Sequence, residues 1–264
     1  MIDTHCHLTF RDFQEPAYPG GTGAVVARAA EKGVSGCITI STTTRDCLEA
    51  LAIAESHPRV WCTSGIHPLH SHEGPHEWDN LLRVARHPRC VAWGELGLDN
   101  HYKTPTRDIQ DRVLEDHLEF IATHARAGLV KPVVIHCREA FDDLLPVLTR
   151  CGLSPQRFIF HCFTGSAADI RKVLDFGAMV SFTGVATYRS AKELKDAVRL
   201  VPLDRIMIET DAPFLSPEPH RGTRPCEPFM AWNTALSVAE TRGEAFSAFH
   251  AAINDNTERF FGIR

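Results

Sequence analysis

The sequence predicts an α/β protein that folds as an eight-stranded (β/α)8 TIM barrel of the amidohydrolase-like kind. Short apolar runs alternate with stretches of helical periodicity along all 264 residues, and no linker or low-complexity segment interrupts them. Most of the apolar runs leave no polar face, which is typical of parallel strands covered on both sides. Eight strand–helix pairs in a chain of this length fit a barrel. A doubly wound open sheet is the alternative, because periodicity does not show closure.

The predicted elements follow one another as strand then helix. Apolar runs predict strands at 2–6, 36–41, 60–65, 90–95, 132–137, 158–163, 178–182 and 205–209. Helical periodicity, with Ser, Thr or Pro at several starts and Gly near several ends, predicts helices at 21–32, 44–56, 76–86, 107–127, 139–150, 167–176, 191–200 and 228–241. Residues 244–260 predict an extra C-terminal helix, so that residues 1–264 form a single hydrolase domain.

Composition narrows the functional classes. The net charge of −5 provides no general basic field, so a phosphate-containing partner needs local Arg or Lys side chains or a metal. Nine cysteines without a Cys-x-x-Cys pair indicate reduced thiols, and hence a cytoplasmic protein. No apolar run approaches the roughly 18 residues of a membrane span, and the start lacks a signal-peptide pattern. We therefore expect no membrane association, and nothing predicts an obligate protein partner.

The opening residues MIDTHCHL contain a His-x-His pair. His5 and His7 lie two positions apart, so on a strand both imidazoles leave the same face and can bind one metal. Taken alone, a chance pair on a half-buried strand is an equally good interpretation. The decision depends on what the other strands carry.

Polar side chains follow several of the other apolar runs. The carboxyl ends of barrel strands meet at one rim, so these side chains should converge, and converging imidazoles and carboxylates are costly without a cation. The residues concerned are His67 after the third strand, Glu95 after the fourth, His136 after the fifth, His161 within the sixth, and Glu209 and Asp211 at the eighth.

The count of ligands predicts two divalent cations, either Mg²⁺, Mn²⁺ or Zn²⁺. One is expected at His5, His7, Glu95 and Asp211, and Glu95 is expected to bridge to a second at His136 and His161. Glu95 and Asp211 are the predicted catalytic carboxylates, with Asp211 taking a proton from the attacking water. Lys131, as a carbamate, is the other conceivable bridge, but it precedes its strand and so lies at the opposite end of the barrel.

The motifs MIDTHCHL, GIHPLH, GELGLD, VVIHCREA, FHCFTGS, IETDAPFLSP, HRGTRPCEP and NTERFFG resemble, in this order, those of the TatD family. The resemblance spans residues 1–262. It implies a metal-dependent barrel, the six ligand positions already named, and hydrolysis of DNA phosphodiesters, often exonucleolytically, with Mg²⁺ or another divalent ion. Two departures concern rim loops: Asn100 stands where the family often has Tyr, and the 221–228 segment is one residue longer through Pro225-Cys226.

Further residues are predicted around the centre. His67, Arg138 and Arg221 are candidate substrate-binding residues, since guanidinium binds phosphate bidentately; a strand-loop brace for His67 and surface salt bridges for the arginines are the alternatives. Glu209 is expected to orient a ligand histidine. His101 lies on the rim. The other histidines are expected at solvated surface positions: His57, His70, His72, His76, His87, His117, His124, His220 and His250.

The predicted function is a metal-dependent deoxyribonuclease that cleaves phosphodiester bonds, with DNA or another phosphodiester as its substrate. The acidic charge balance favours a small or single-stranded end over a long duplex. A hydrolase of C–N or ester bonds, such as a cyclic amide or an aminoacyl ester, is the alternative. A metal-stabilised binding module is a weaker third hypothesis, since two unsaturated cations leave room for a nucleophilic water.

Overall fold

A computed structural model describes residues 1–263 and shows eight parallel strands, each followed by a helix. The strands are β1 (Ile2–Cys6), β2 (Gly36–Thr39), β3 (Val60–Ser64), β4 (Cys90–Asp99), β5 (Val133–Arg138), β6 (Phe158–Phe160), β7 (Met179–Phe182) and β8 (Ile206–Ile208). The helices are α1 (Gly21–Glu31), α2 (Asp46–Ser56), α3 (Trp78–Ala85), α4 (Arg107–Arg126), α5 (Phe141–Arg150), α6 (Ala167–Phe176), α7 (Lys192–Leu200), α8 (Ala231–Arg242) and α9 (Phe246–Phe261).

The strands pair in chain order from β1 to β8, and the sheet curls into a nearly closed barrel. The seam between its first and last strands is joined just beyond β8. There the amide of His7 donates to the carbonyl of Ala212 at 2.7 Å, and the amide of Asp211 donates to the carbonyl of His5 at 2.9 Å. The predicted barrel is confirmed, and the open-sheet alternative is wrong. These seam bonds also place Asp211 beside the two N-terminal histidines.

One apolar side chain from each strand fills the barrel interior near its amino-terminal end. Phe261 and Ile263, at the C-terminal end of α9, pack against this layer and cover the bottom of the barrel. Asn256 fixes α9 by donating its amide to the carbonyls of Leu203 and Ile206 at 2.8 and 2.9 Å. The layer consists of Ile2, Ile38, Trp61, Val91, Val134, Ile159, Met179 and Met207. The predicted C-terminal helix is confirmed, and it closes the end of the barrel opposite the polar rim.

β4 is longer than predicted, since it continues past Glu95 to Asp99. Gly97 permits this, because a Cβ there would collide with the carbonyl oxygen of His136 on the neighbouring strand and because its φ is +150°. The sequence prediction stopped at the first carboxylate and so missed four residues of strand. Asp99 thereby reaches the rim in register with Arg138.

Other boundaries also shift by a few residues. β6 ends at Phe160, so His161 lies just beyond its strand rather than within it, and β3 ends at Ser64, three residues before His67. Residues 228–230 form a separate 3-10 turn before α8. Within residues 1–263, no helix is both long and apolar enough to cross a membrane.

The prediction of a solvated His117 is wrong. This side chain is fully buried in α4, where it faces the core together with Gln110, Leu114, Leu118 and Ile121. The spacing of these residues is that of one helix face, which lies against the barrel, and His117 falls on it. Trp78 packs edge-on against the imidazole at 5.4 Å.

Candidate metal centre

Glu95 stands at the centre of the polar rim and is almost fully buried. Its two carboxylate oxygens face different groups of histidines. Oε2 lies 3.4 Å from His5 Nε2, whereas Oε1 lies 2.9 Å from His136 Nδ1 and 2.6 Å from His161 Nε2. The carboxylate therefore stands between two sets of side chains, as expected for a bridging ligand.

The first set consists of His5, His7 and Asp211, whose candidate donor atoms cluster closely. Asp211 Oδ1 lies 3.2 Å from His7 Nε2 and 3.6 Å from His5 Nε2. Asp211 has a φ of +60°, a conformation uncommon for a residue with a side chain, and such residues cluster at functional sites. The backbone at the seam thus turns the carboxylate towards the two histidines.

The second set consists of His136 and His161, and carboxylates behind them fix the ring orientation. Asp99 Oδ2 lies 3.0 Å from His136 Nε2, and Glu209 Oε1 lies 3.4 Å from His161 Nδ1. A carboxylate beside one ring nitrogen favours the proton on that nitrogen, which leaves the other nitrogen with a free lone pair. In His161, however, Nε2 lies closer to Glu95 than Nδ1 lies to Glu209. Burial opposes protonation of both rings, but the carboxylates on either side raise the pKa of His136 and of His161.

This arrangement fits a cation. His136 Nδ1 and His161 Nε2 approach the same Glu95 oxygen at 2.9 and 2.6 Å, so a positive charge belongs between them, either as a proton on each ring or as a metal ion bound by the two nitrogens and the carboxylate. In the first set, His5 Nε2 is buried without a hydrogen-bond partner among the described residues, although it faces two carboxylates. Imidazole nitrogens and carboxylate oxygens are ligands for Zn²⁺ and Mn²⁺, and carboxylates also suit Mg²⁺.

Burial and neighbouring side chains together set the ionisation states of Glu95, Asp211 and His5. Burial favours a neutral Glu95, but the surrounding imidazoles of His161, His67 and His5 hold its pKa well below the usual range. Burial likewise opposes ionisation of Asp211, yet the hydrogen bond from His7 lowers its pKa. Burial lowers the pKa of His5. Both carboxylates are therefore anionic near neutral pH, and His5 is a neutral potential ligand.

His67 also reaches this centre, but its ring is oriented as a donor. Its Nδ1 accepts a hydrogen bond from the amide of Leu69 at 3.1 Å, so the proton of the neutral ring lies on Nε2. Nε2 points towards Glu95 Oε1 and His136 Nδ1, at 3.4 and 3.2 Å. Burial lowers the pKa of His67 to about 4, so the ring is neutral at pH 7. A neutral donor suits a hydrogen bond to substrate better than a metal bond.

Glu209 lies where the sequence analysis expects it, behind a histidine. Beyond its contact with His161, it accepts hydrogen bonds from Ser181 Oγ and from the amide of Cys162, both at 2.6 Å. It is buried, and its carboxylate also forms a cluster of candidate donor atoms with His5 and His161.

Two acidic residues were missed by the sequence analysis. Asp99, four residues after Glu95, shares its face of β4, but the predicted strand ended too early to show this. Asp3 is buried below the centre, where it accepts hydrogen bonds from the amide and hydroxyl of Thr210 at 2.9 and 2.6 Å. Burial raises the pKa of Asp3 to about 8.

The predicted substrate arginines lie at the rim but differ in their surroundings. Arg138 packs over the ring of Tyr102 at 5.2 Å and has no acidic partner within 4.0 Å among residues 1–263. Arg221 packs over Tyr188 at 4.1 Å and lies 3.8 Å from Glu218. Arg138 thus has the less neutralised guanidinium of the two.

The remaining sequence expectations can be placed as well. Lys131 Nζ donates to the carbonyl of Cys90 at 2.6 Å, at the start of β4 and far along that strand from Glu95. Asn100 donates its amide to Glu139 and Asp143 and so braces the loop after β4. Cys226 is buried, and its amide donates to the carbonyl of Pro213, which ties the longer 221–228 segment to the loop after β8.

Comparison with known proteins gives concordant results. The family model described as TatD related DNase matches residues 2–262. The chain is 34% identical to the uncharacterized metal-dependent hydrolase YcfH of Escherichia coli, covering 100% of this chain and 96% of that protein. It is 33% identical to the 3'-5' ssDNA/RNA exonuclease TatD of Enterobacter lignolyticus, covering 100% and 99%. The crystal structure of the TatD homologue YjjV of Escherichia coli superposes with a TM-score of 0.86 at 28% identity, covering 100% and 98%.

Proposed function

Because the chain belongs to the TatD family of metal-dependent hydrolases, we propose that it is a nuclease that removes nucleotides from the 3' ends of single-stranded DNA at a two-metal centre. The observation that carries this proposal is the placement of Glu95, whose two oxygens face separate groups of histidines. The exonuclease name of the Enterobacter relative supports the substrate class and the polarity.

The proposed ligands of the first cation are His5, His7, Glu95 and Asp211, and those of the second are Glu95, His136 and His161. Two divalent cations, either Mg²⁺, Mn²⁺ or Zn²⁺, would acidify a water molecule and withdraw negative charge from the phosphodiester. Glu209 and Asp99 hold the rings of His161 and His136 in the orientation that binding requires.

The protein's own groups then divide the remaining work. Asp211 is an anion at neutral pH and accepts the proton of the attacking water as the new bond from oxygen to phosphorus forms. The bond from phosphorus to the leaving ester oxygen breaks in the same step, and that oxygen takes up a proton from solvent. His67 donates from Nε2 to an oxygen of the substrate. Arg138 and Arg221 contact phosphate at the rim, where guanidinium can form two parallel hydrogen bonds. The centre itself is lined by carboxylates and imidazoles, and its carboxylates repel an anionic substrate. Recognition of the phosphate therefore depends on these rim arginines and on the cations.

A reducing compartment, such as the cytoplasm, fits this proposal. All nine cysteines are free thiols, and seven of them are buried, as expected of small apolar side chains in a core. DNA and RNA ends both occur there, so the preference between them is measured in the same digestion assay as the activity.

Digestion of end-labelled strands tests the proposed function. With Mg²⁺ or Mn²⁺, linear single strands should shorten from the 3' end, whereas circular strands and all strands in EDTA should stay intact. Glu95→Gln keeps the shape of the side chain but removes its charge, so it should lose activity; Glu115→Gln, an exposed change on α4, is the matched control. Cutting of circles contradicts exonuclease action. Inertness towards every strand, with turnover of a cyclic amide or an aminoacyl ester, would favour the alternative.

A further inference from the structure

The loop after β4 presents an aromatic side chain to solvent beside the centre. Tyr102 is 50% exposed, and it is the only aromatic among the large hydrophobic side chains that are exposed in residues 1–263. The exposed part of the ring gains none of the hydrophobic stabilisation that burial of apolar surface provides. The ring is thus accessible to a ligand at the rim.

The loop that carries Tyr102 is attached to the metal centre through one carboxylate. Asp99 Oδ1 accepts hydrogen bonds from the amides of His101 and Tyr102 at 2.9 and 3.0 Å. Its other oxygen lies 3.0 Å from His136 Nε2. A single side chain thus fixes both a proposed metal ligand and the backbone of the exposed tyrosine.

Arg138 completes the surface. It lies two residues after His136 on β5, so both side chains leave the same face of the strand. Its carbonyl accepts the amide of Asn100 at 2.9 Å, which holds the β4 loop against β5. The guanidinium packs over the Tyr102 ring at 5.2 Å.

Two other rim arginines are committed to acidic partners. Arg224 binds Asp12 at 2.9 Å, and Arg107 binds Asp111 and Asp143 at 2.7 and 2.6 Å. Arg138 has no such partner among the described residues, so a phosphate can take its full charge without displacing a carboxylate. An aromatic ring next to a free guanidinium is the combination that single-stranded nucleic acids use, because the ring stacks with a base and the cation binds the backbone.

We infer that Tyr102 and Arg138 form a nucleotide subsite, in which the Tyr102 ring stacks on a base near the cleaved bond and the Arg138 guanidinium binds an adjoining phosphate. This inference rests on the proposed nuclease function and specifies it further. The subsite favours single strands, since bases inside a duplex have both faces stacked and only the outer face of a terminal pair could meet Tyr102. Stacking on one ring does not distinguish among the four bases, so the subsite provides affinity with little sequence preference.

Strands with a single abasic residue test the subsite. A series places a tetrahydrofuran abasic analogue at each of the last four nucleotides in turn, and kcat and KM are measured with Mg²⁺ or Mn²⁺. At one position the parent should lose roughly tenfold in kcat/KM, mostly through KM, because one stacked base is missing. Tyr102→Ala should show the same loss on the intact strand and no further loss on that abasic strand.

Matched variants separate stacking from a general effect on the loop. Tyr102→Phe keeps the ring and should behave as the parent. Arg138→Ala should weaken intact and abasic strands alike, since it removes a phosphate contact. Leu236→Ala, which truncates a 43% exposed side chain on α8, should change neither.

The outcomes distinguish the inference from the proposed function. Equal turnover of intact and abasic strands by the parent, with Tyr102→Ala matching it, would overturn the subsite and leave the nuclease function standing. An equal loss by Tyr102→Ala on every strand would also overturn it, because the defect would not depend on a base. Inertness of the parent towards all strands would refute the nuclease function, and the subsite with it.

Discussion

Replacing Asp211 by Asn separates the chemical role of this carboxylate from its structural one. The φ of +60° at this position is accessible to Asn as readily as to Asp, so the turn after β8 should be unchanged. Asn also keeps one carbonyl oxygen where Oδ1 now lies, 3.2 Å from His7 Nε2 and 3.6 Å from His5 Nε2. The change therefore removes a negative charge and a proton acceptor and little else.

The expected size of the defect follows from these contacts. Loss of a general base costs about 10²- to 10⁴-fold in turnover, whereas one altered ligand among four should reduce metal occupancy only partially. We therefore expect kcat to fall by at least about 10²-fold, with bound metal retained in part. The pKa of Asp211 lies below its usual range because of the His7 hydrogen bond, so the parent keeps its base ionised down to mildly acidic pH.

Bound metal and kcat should be measured on the same preparation of the variant. Asp79→Asn, the same change at an exposed position on α3, is the matched control. The control should retain both metal and turnover. Retention of both by Asp211→Asn as well would refute the reasoning and reduce Asp211 to a residue that shapes the loop.

Three further predictions concern stability and metal. Burial lowers the pKa of His117 to about 3, below its unfolded value near 6.5, so the protein loses stability as the pH falls from 6.5 to 3. In urea unfolding at pH 5, His117→Leu should remove about 2 kcal/mol of this loss. An unchanged pH dependence of the variant's stability would contradict the assignment. Asn256→Ala should destabilise the fold by about 1–3 kcal/mol, because two carbonyls lose their donor, whereas Asn254→Ala, whose amide contacts only His250, should cost less; equal losses would remove the special role of Asn256. Chelation should lower the melting temperature as well as the activity, because anionic Glu95 and Asp211 lose their counter-charge, and an unchanged melting temperature would argue against resident cations.

The barrel was predictable from the sequence because its strands are buried on both sides. Runs such as 158–160 and 206–208 contain no polar residue, and the histidines and carboxylates that follow the strands fall at one rim for purely topological reasons. The convergence of His5, His136, His161 and Asp211 on Glu95 could therefore be anticipated, although Asp99 and Asp3 could not.

What the sequence did not show depends on contacts between distant segments. The extension of β4 to Asp99 requires the close approach of Gly97 to His136, which no local pattern reveals. His117 was mistaken for a surface residue because a histidine on a helix is usually solvated, and only packing against the barrel buries it. The ring orientation of His67 likewise depends on one backbone amide, that of Leu69.

The bridging role of Glu95 is the central claim, and anomalous diffraction tests it most directly. Crystals grown with Mn²⁺ should show two anomalous peaks about 3.5–4 Å apart, one beside His5, His7 and Asp211 and the other beside His136 and His161, with one oxygen of Glu95 bound to each. A single peak, or two peaks of which one lacks Glu95, would contradict the account.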